Sequence, residues 1–223
     1  MSDHFKQAAA EAAVAAEVAS GMVLGLGTGS TASHVVIELG RLLAAGSLRD
    51  LVGVPTSEVT ARLAREHGVP LATLDEQPRL ALCLDGADEI GPGLGLVKGL
   101  GGALLREKIV ASAADRFVVV ADASKRVARL GEHAPVPVEV IPFGEAVCAR
   151  ALRALGAEPV PRAGFVTDEG NHILDCRFGP LDDPARLAEA IRSIPGVVEH
   201  GLFLGMAEAA YVGGDDGVEL LRT

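Results

Sequence analysis

Apolar residues in this chain fall into short runs, and five of those runs stop abruptly at a polar or glycine-rich loop. Residues 22–26 lead into Gly27-Thr28-Gly29-Ser30-Thr31, residues 51–54 into Pro55-Thr56-Ser57-Glu58, and residues 80–84 into Asp85-Gly86-Ala87-Asp88-Glu89. Residues 94–97 lead into Lys98-Gly99-Leu100-Gly101-Gly102, and residues 117–121 into Asp122-Ala123-Ser124-Lys125. Continuous apolar runs of this length, separated by helical stretches, predict parallel strands buried in an α/β sheet. The spacing predicts helices over 4–19, broken by Ser20-Gly21, and over 31–43, 57–66 and 103–114. A short strand is expected at 71–74, after Gly68 and Pro70. In open sheets of this kind a ligand lies beyond the carboxyl ends of the strands, where all five loops would gather at one edge. The pattern points to a small-molecule site rather than to a surface for another macromolecule.

After residue 125 the texture changes. Pro135, Pro137 and Pro142 bracket an apolar segment at 136–141, and a helix is expected over 144–155. Strands near 158–162 and 172–178 flank the turn-rich Asp168-Glu169-Gly170-Asn171, followed by a helix over 184–193 and a strand at 197–204. That βαββαβ order fits a small ferredoxin-like α+β unit. The tail carries a strand-like 209–212 and a Gly213-Gly214-Asp215-Asp216-Gly217 turn, and is expected to return to the first domain. The fold class is therefore α/β, with a mostly parallel sheet domain at 1–126 plus 205–223 and a smaller α+β domain at 127–204.

Composition narrows the partners. Of 223 residues 49% are apolar but only 3% aromatic, with no Trp, so the core is aliphatic. A formal net charge of −10 argues against a nucleic-acid backbone or an anionic membrane as partner. It does not exclude an anionic substrate, which backbone N–H groups and one or two lysines can hold locally. No apolar run approaches the roughly 20 residues of a membrane helix, and the Ala-rich start carries Asp3, Lys6, Glu11 and Glu17. A cytoplasmic protein is expected. Cys83, Cys148 and Cys176 share no CxxC spacing and read as buried thiols, and six scattered His show no metal-ligand spacing. Only four of 20 basic residues are Lys, at 6, 98, 108 and 125, and two of them follow strand-like runs. Where Arg is the default cation, a retained Lys invites a specific role.

Each motif has two readings. Gly25-Leu26-Gly27-Thr28-Gly29-Ser30-Thr31 has hydroxyls where a dinucleotide fingerprint has its third glycine, and it lacks the Gly-Lys-Ser/Thr of a P-loop. Hydroxyls and N–H groups at a helix start suit one phosphate or carboxylate; the alternative is a tight turn with a Ser/Thr cap. Asp85 and Asp88 place two carboxylates three residues apart beyond a strand. They could bind a metal, bind sugar hydroxyls or act as acid and base, or they could serve only as turn and cap residues. In Lys98-Gly99-Leu100-Gly101-Gly102 the glycines admit a ligand close to the backbone and Lys98 supplies a cation. Glu107 follows about one turn into the next helix; the alternative is an exposed carboxylate paired with a nearby Arg or Lys.

In their order and spacing, GLGTGST, DGADEI, KGLGGALLREKIV and ADASK resemble ribose-5-phosphate isomerase of the A type. The likeness continues through Val54-Pro55-Thr56-Ser57, Leu74-Asp75-Glu76, Val136-Pro137-Val138-Glu139 and residues 194–203, and so spans essentially the whole chain. The resemblance implies a Rossmann-like sheet domain with a smaller α+β domain, and a homodimer or tetramer. It also implies a sugar-phosphate substrate and no metal or organic cofactor. It implies that Glu107 moves a proton between C2 and C1, while Asp85, Asp88 and Lys98 manage ring opening and the oxygens. Thr28, Gly29, Ser30, Thr31, Gly86, Ala87, Gly99, Leu100, Gly101 and Lys125 would bind substrate. Leu100 stands where many relatives carry a further Gly. The loop at 55–58 gains no role beyond shaping a pocket wall. A sugar-phosphate sensor module would need the phosphate loop but neither Glu107 nor the carboxylate pair. A related lactonase or amino-sugar deaminase would call for a His at a strand end.

Overall fold

The structure is a computed structural model and describes residues 2–223. In chain order its elements are α1 (Ser2–Glu17), β1 (Val23–Leu26), α2 (Ser30–Ala44), β2 (Val52–Pro55), α3 (Glu58–Glu66), β3 (Leu82–Asp85), β4 (Glu89–Ile90), β5 (Leu96–Val97), α4 (Leu104–Ser112) and β6 (Phe117–Asp122). There follow β7 (Val136–Val140), α5 (Glu145–Ala154), β8 (Glu158–Pro161), β9 (His172–Arg177), α6 (Pro184–Arg192), β10 (Val197–His200), β11 (Leu202–Phe203), β12 (Ala209–Gly214) and β13 (Gly217–Arg222). The chain divides into two compact units: residues 1–87, 106–125 and 206–223, and residues 88–105 and 126–205. Residues 88–105, expected from the sequence in the larger domain, are thus part of the second unit.

The first unit is built on a six-stranded sheet in the order β13-β12-β6-β3-β1-β2. Strands β2, β1, β3, β6 and β12 are parallel, and β13 closes the edge as the antiparallel half of a hairpin with β12. Leu24, Leu26, Leu82, Leu84, Val118 and Val120 point to the face covered by α1 and α2, where Ala9, Ala10, Ala13, Val35, Val36 and Leu39 meet them. Each Leu or Val so buried contributes about 1.5–3 kcal/mol. The small residues of α1 let its backbone lie close to the sheet. The chain leaves β1 toward β2 on one side, then returns to place β3 on the other side of β1. The carboxyl ends of β1 and β3 therefore form the switch point at which open α/β sheets bind ligands.

The second unit carries the predicted βαββαβ run, β7-α5-β8-β9-α6-β10. Its antiparallel sheet has the order β10-β7-β9-β8. Val138, Val140, Leu174 and Cys176 pack there against Cys148 and Leu152 of α5 and Ile191 of α6. A further sheet of three short strands, β11-β5-β4, is antiparallel throughout.

Two expectations are corrected here. Residues 94–97 are not a strand of the parallel sheet: Pro92–Leu94 forms a 3-10 turn, and only Leu96 and Val97 remain extended, paired antiparallel with β4 and β11. The Lys98 loop therefore leaves a different sheet from the other four loops. Residues 71–74 make only one parallel bridge, Leu71 to Gly53. The chain turns away there because Glu76 accepts hydrogen bonds from the N–H and hydroxyl of Thr73 (2.9 and 3.1 Å). Strands β4 and β13 were not anticipated. All three cysteines are free and buried, and burial pushes the Cys176 thiol up to about 12, with the charge of Asp175 adding to the effect.

Candidate active site

In the first unit the ends of β1 and β3 are tied together by one carboxylate. Asp85, 1% exposed, accepts hydrogen bonds at Oδ1 from the N–H of Thr28 (3.0 Å) and of Gly86 (2.7 Å). A side chain at Gly27 would occupy the same space as the Asp85 carboxylate, so only glycine fits there. The turn-forming role is thus met: Oδ1 organises the loops, and the group sits at the switch point.

The Thr28 side chain is turned into the scaffold. Its Oγ1 lies 2.7 Å from Thr56 Oγ1, 2.8 Å from Ser57 Oγ and 3.0 Å from Thr60 Oγ1. Ser57 also caps α3 by accepting from the Thr60 N–H. The loop at 55–58 therefore holds the phosphate-suited loop in place. Pro55 and Glu58 line a separate cavity of about 500 Å³, with Arg65, Arg106 and Ile109, and none of the expected site residues borders it.

Ser30 and Thr31 open α2, whose N-terminal N–H groups and dipole suit an anion. The Lys6 ammonium, reaching from α1, donates to Ser30 Oγ (3.0 Å). Lys6 was not among the residues expected from the sequence: it is 24 positions away, and only the packing of α1 beside α2 brings it there. Lys125 ends the 3-10 turn Ala123–Lys125 after β6, where Asp122 accepts from the Ser124 N–H (3.0 Å). Glu107 lies in the first turn of α4 and is only 2% exposed. Glu107 is thus not the exposed helix carboxylate of the alternative reading; its neighbour Arg106 pairs at the surface with Glu58 at 3.1 Å. A carboxylate shielded from water in this way is costly to keep ionised unless partners hold it.

Gly29 and Ala87 also fall in the first unit, whereas Asp88, Lys98, Gly99, Leu100 and Gly101 belong to the second, described on its own. Asp88 donates its N–H to the Val97 carbonyl (2.8 Å), and its Oδ2 accepts from the Leu100 N–H (2.9 Å). Gly99 has φ 106°, a conformation that favours glycine. Leu100 is not in the left-handed region, so a side chain there is tolerated without backbone strain, and it is 43% exposed. Lys98, 2% exposed, donates its N–H to the Gly201 carbonyl (2.8 Å) and places its ammonium 5.5 Å above the Phe203 ring. An aromatic face is a favourable neighbour for a desolvated cation.

Chemically, the first unit holds an anion-suited helix start with Lys6 beside it, Lys125, and two buried carboxylates, Asp85 and Glu107. The second holds a lysine and a glycine loop whose backbone is fixed by Asp88. Among the described residues no group of three or more His, Cys, Asp or Glu is placed to hold a metal ion. Among them, too, no helix is long and apolar enough to cross a membrane.

Residues 52–217 match the family model of ribose 5-phosphate isomerase A (phosphoriboisomerase A). The chain is 62% identical to ribose-5-phosphate isomerase A of Roseiflexus castenholzii, over 98% of this chain and 95% of that protein. It is 53% identical to the protein of the same name from Gluconobacter oxydans, over 98% and 96%. Among solved structures it superposes with a TM-score of 0.98 on a D-ribose-5-phosphate isomerase in complex with phospho-erythronic acid, at 39% identity and covering 100% of both chains. For ribose 5-phosphate isomerase A of Methanocaldococcus jannaschii the TM-score is 0.94 at 43% identity, covering 99% of each chain.

Proposed function

The chain belongs to the ribose 5-phosphate isomerase A family, and on that premise we propose that it interconverts D-ribose 5-phosphate and D-ribulose 5-phosphate with Glu107 as the base that carries the proton. The reaction moves hydrogen between adjacent carbons. Glu107 takes the proton from C2 of the open-chain aldose, the C–H electrons form the C1=C2 bond, and negative charge develops on O1. The hydroxyl proton on O2 then passes to O1, the O2 electrons form the carbonyl at C2, and the C1=C2 electron pair takes the proton back from Glu107 at C1. Donors and a cation at the developing oxyanion lower that barrier, as in triosephosphate isomerase. Lys98 and the Gly99–Gly101 loop take this part. Ribose 5-phosphate is mainly a closed ring, so Asp85 and Asp88 serve as acid and base at the anomeric centre. The phosphate rests on Ser30, Thr31, Lys6 and Lys125, where its binding energy is gained away from the reacting carbons. The enzyme acts without a metal, in the cytoplasm, as a homodimer.

The observation that carries this reading is Glu107: an acidic side chain 2% exposed in the first turn of a helix that opens from the lysine–glycine loop. The ligand in the solved relative supports it, since phospho-erythronic acid bears a planar carboxylate on a phosphorylated four-carbon chain and resembles a charged enediolate. The test is direct. With ribose 5-phosphate in deuterated buffer and excess EDTA, ribulose 5-phosphate should appear in the NMR spectrum with deuterium at C1, at the same rate as without EDTA. No conversion, or conversion that needs an added divalent metal, would overturn the reading.

A further inference from the structure

Arg162, at the end of the β8 hairpin strand in the second unit, uses its guanidinium in an unusual way. Its Nε and Nη2 donate to the two carboxylate oxygens of Asp175 (3.0 and 2.6 Å). Its Nη1 donates to two consecutive backbone carbonyls, those of Gly99 and Leu100 (3.2 Å each). Four donors are thus engaged, in a planar fork that lysine cannot reproduce. The Phe165 ring lies 5.4 Å from the guanidinium carbon and abuts Gly102, leaving no room for a side chain there.

Planar trans peptides turn this clamp into a statement about donors. A carbonyl pulled to one side sends the next N–H to the other. With the Gly99 and Leu100 carbonyls drawn to Arg162, the N–H groups of Leu100 and Gly101 point away from it. The Leu100 N–H confirms the direction by bonding Asp88 Oδ2 (2.9 Å). Glycine on both sides of Leu100 makes a flip of these peptides inexpensive, and a flipped peptide would present a carbonyl dipole where a developing oxyanion needs a donor. We infer that Arg162, oriented by Asp175, is a positioning residue that fixes the peptide orientation of the Gly99–Gly101 loop and so keeps its N–H groups on the Asp88 side. The inference rests on the reading above that this loop serves the substrate oxygens.

Arg162→Ala, Arg162→Lys and Asp175→Asn should fold, as judged by circular dichroism and thermal melting. A misdirected donor acts mainly on the transition state. Arg162→Ala should therefore lose about 10- to 100-fold in kcat for ribose 5-phosphate, with KM changed by less than about threefold. Arg162→Lys should lose about tenfold, because one ammonium cannot span both carbonyls and Asp175. Guanidinium at non-denaturing concentration should restore part of the kcat of Arg162→Ala, whereas sodium chloride at equal ionic strength should not. A merely structural role would lower the melting temperature without that rescue. Should Arg162→Ala fail to fold, Arg162→Lys decides the matter. Wild-type kcat in the folded Arg162 variants, beside an inactive Lys98→Met, overturns the positioning role alone. Wild-type kcat in Lys98→Met as well overturns the reading of the loop, and the inference with it.

Discussion

Three hydroxyls within 3.0 Å of its Oγ1 make Thr28 the most heavily shared side chain of the phosphate-suited loop. Thr28→Val keeps the shape and removes the hydroxyl, leaving Thr56, Ser57 and Thr60 to find new partners. Unfolding in urea should show a loss of about 1–3 kcal/mol, recovered in Thr28→Ser; an unchanged midpoint would contradict the scaffold role. That role was not legible in the sequence, where the hydroxyl run reads equally as a ligand cradle. Neither was Lys6, one of 20 basic residues, until α1 was seen beside α2. Glu107 and Arg106 make the opposite case. They are adjacent in α4, one buried and the other paired at the surface with Glu58. The motif singled out Glu107, and the packing of α4 shields it from water.

At the level of elements, β7 carries a carboxylate where a strand interior should be apolar. Glu139 is 1% exposed and accepts at Oε1 from Thr167 Oγ1 and Asn171 Nδ2 (2.9 Å each), which ties the β8–β9 connection back to the sheet. Burial pushes its carboxyl above the ordinary 4.5; the two hydrogen bonds pull it down, and the charges of Glu169 and Asp168 push it up again. A carboxyl raised on folding stabilises the fold below its unfolded pKa, and that contribution is lost as pH rises through the folded value. Glu139→Gln does not titrate, so its stability relative to the wild type should improve between about pH 4 and about pH 8. Urea midpoints at the two ends of that range check this, and a constant difference would contradict it. Element prediction succeeded where a continuous apolar run met a long partner: β1 falls within its predicted run, and β2, β3 and β6 overrun theirs by one residue each. It failed at residues 94–97, because two extended residues cannot be assigned to a parallel or an antiparallel partner from their hydrophobicity. Strand β13 was hidden because most of its side chains are exposed at the sheet edge, so it carries no apolar run.

Across the whole molecule, the parallel sheet and the βαββαβ order were both readable from runs, prolines and turns. The assignment of residues 88–105 to the second unit was not, since it rests on pairing between β5 and a strand more than 100 positions later. The same holds for the clamp of Arg162 on the glycine loop, whose partners lie 62 and 63 residues apart. A net charge of −10 sets no obstacle to a phosphorylated substrate when a single cation lies beside a helix start, as Lys6 lies beside Ser30. What the molecule does as an isomerase depends, in this account, on a single proton carrier. Replacing Glu107 by Gln keeps size and hydrogen-bonding capacity while removing the base. The decisive measurement is the steady-state turnover of Glu107→Gln with ribose 5-phosphate. Its kcat should fall by about 10²–10⁴ with KM within a few-fold of wild type; turnover within about threefold of wild type would contradict the role of Glu107.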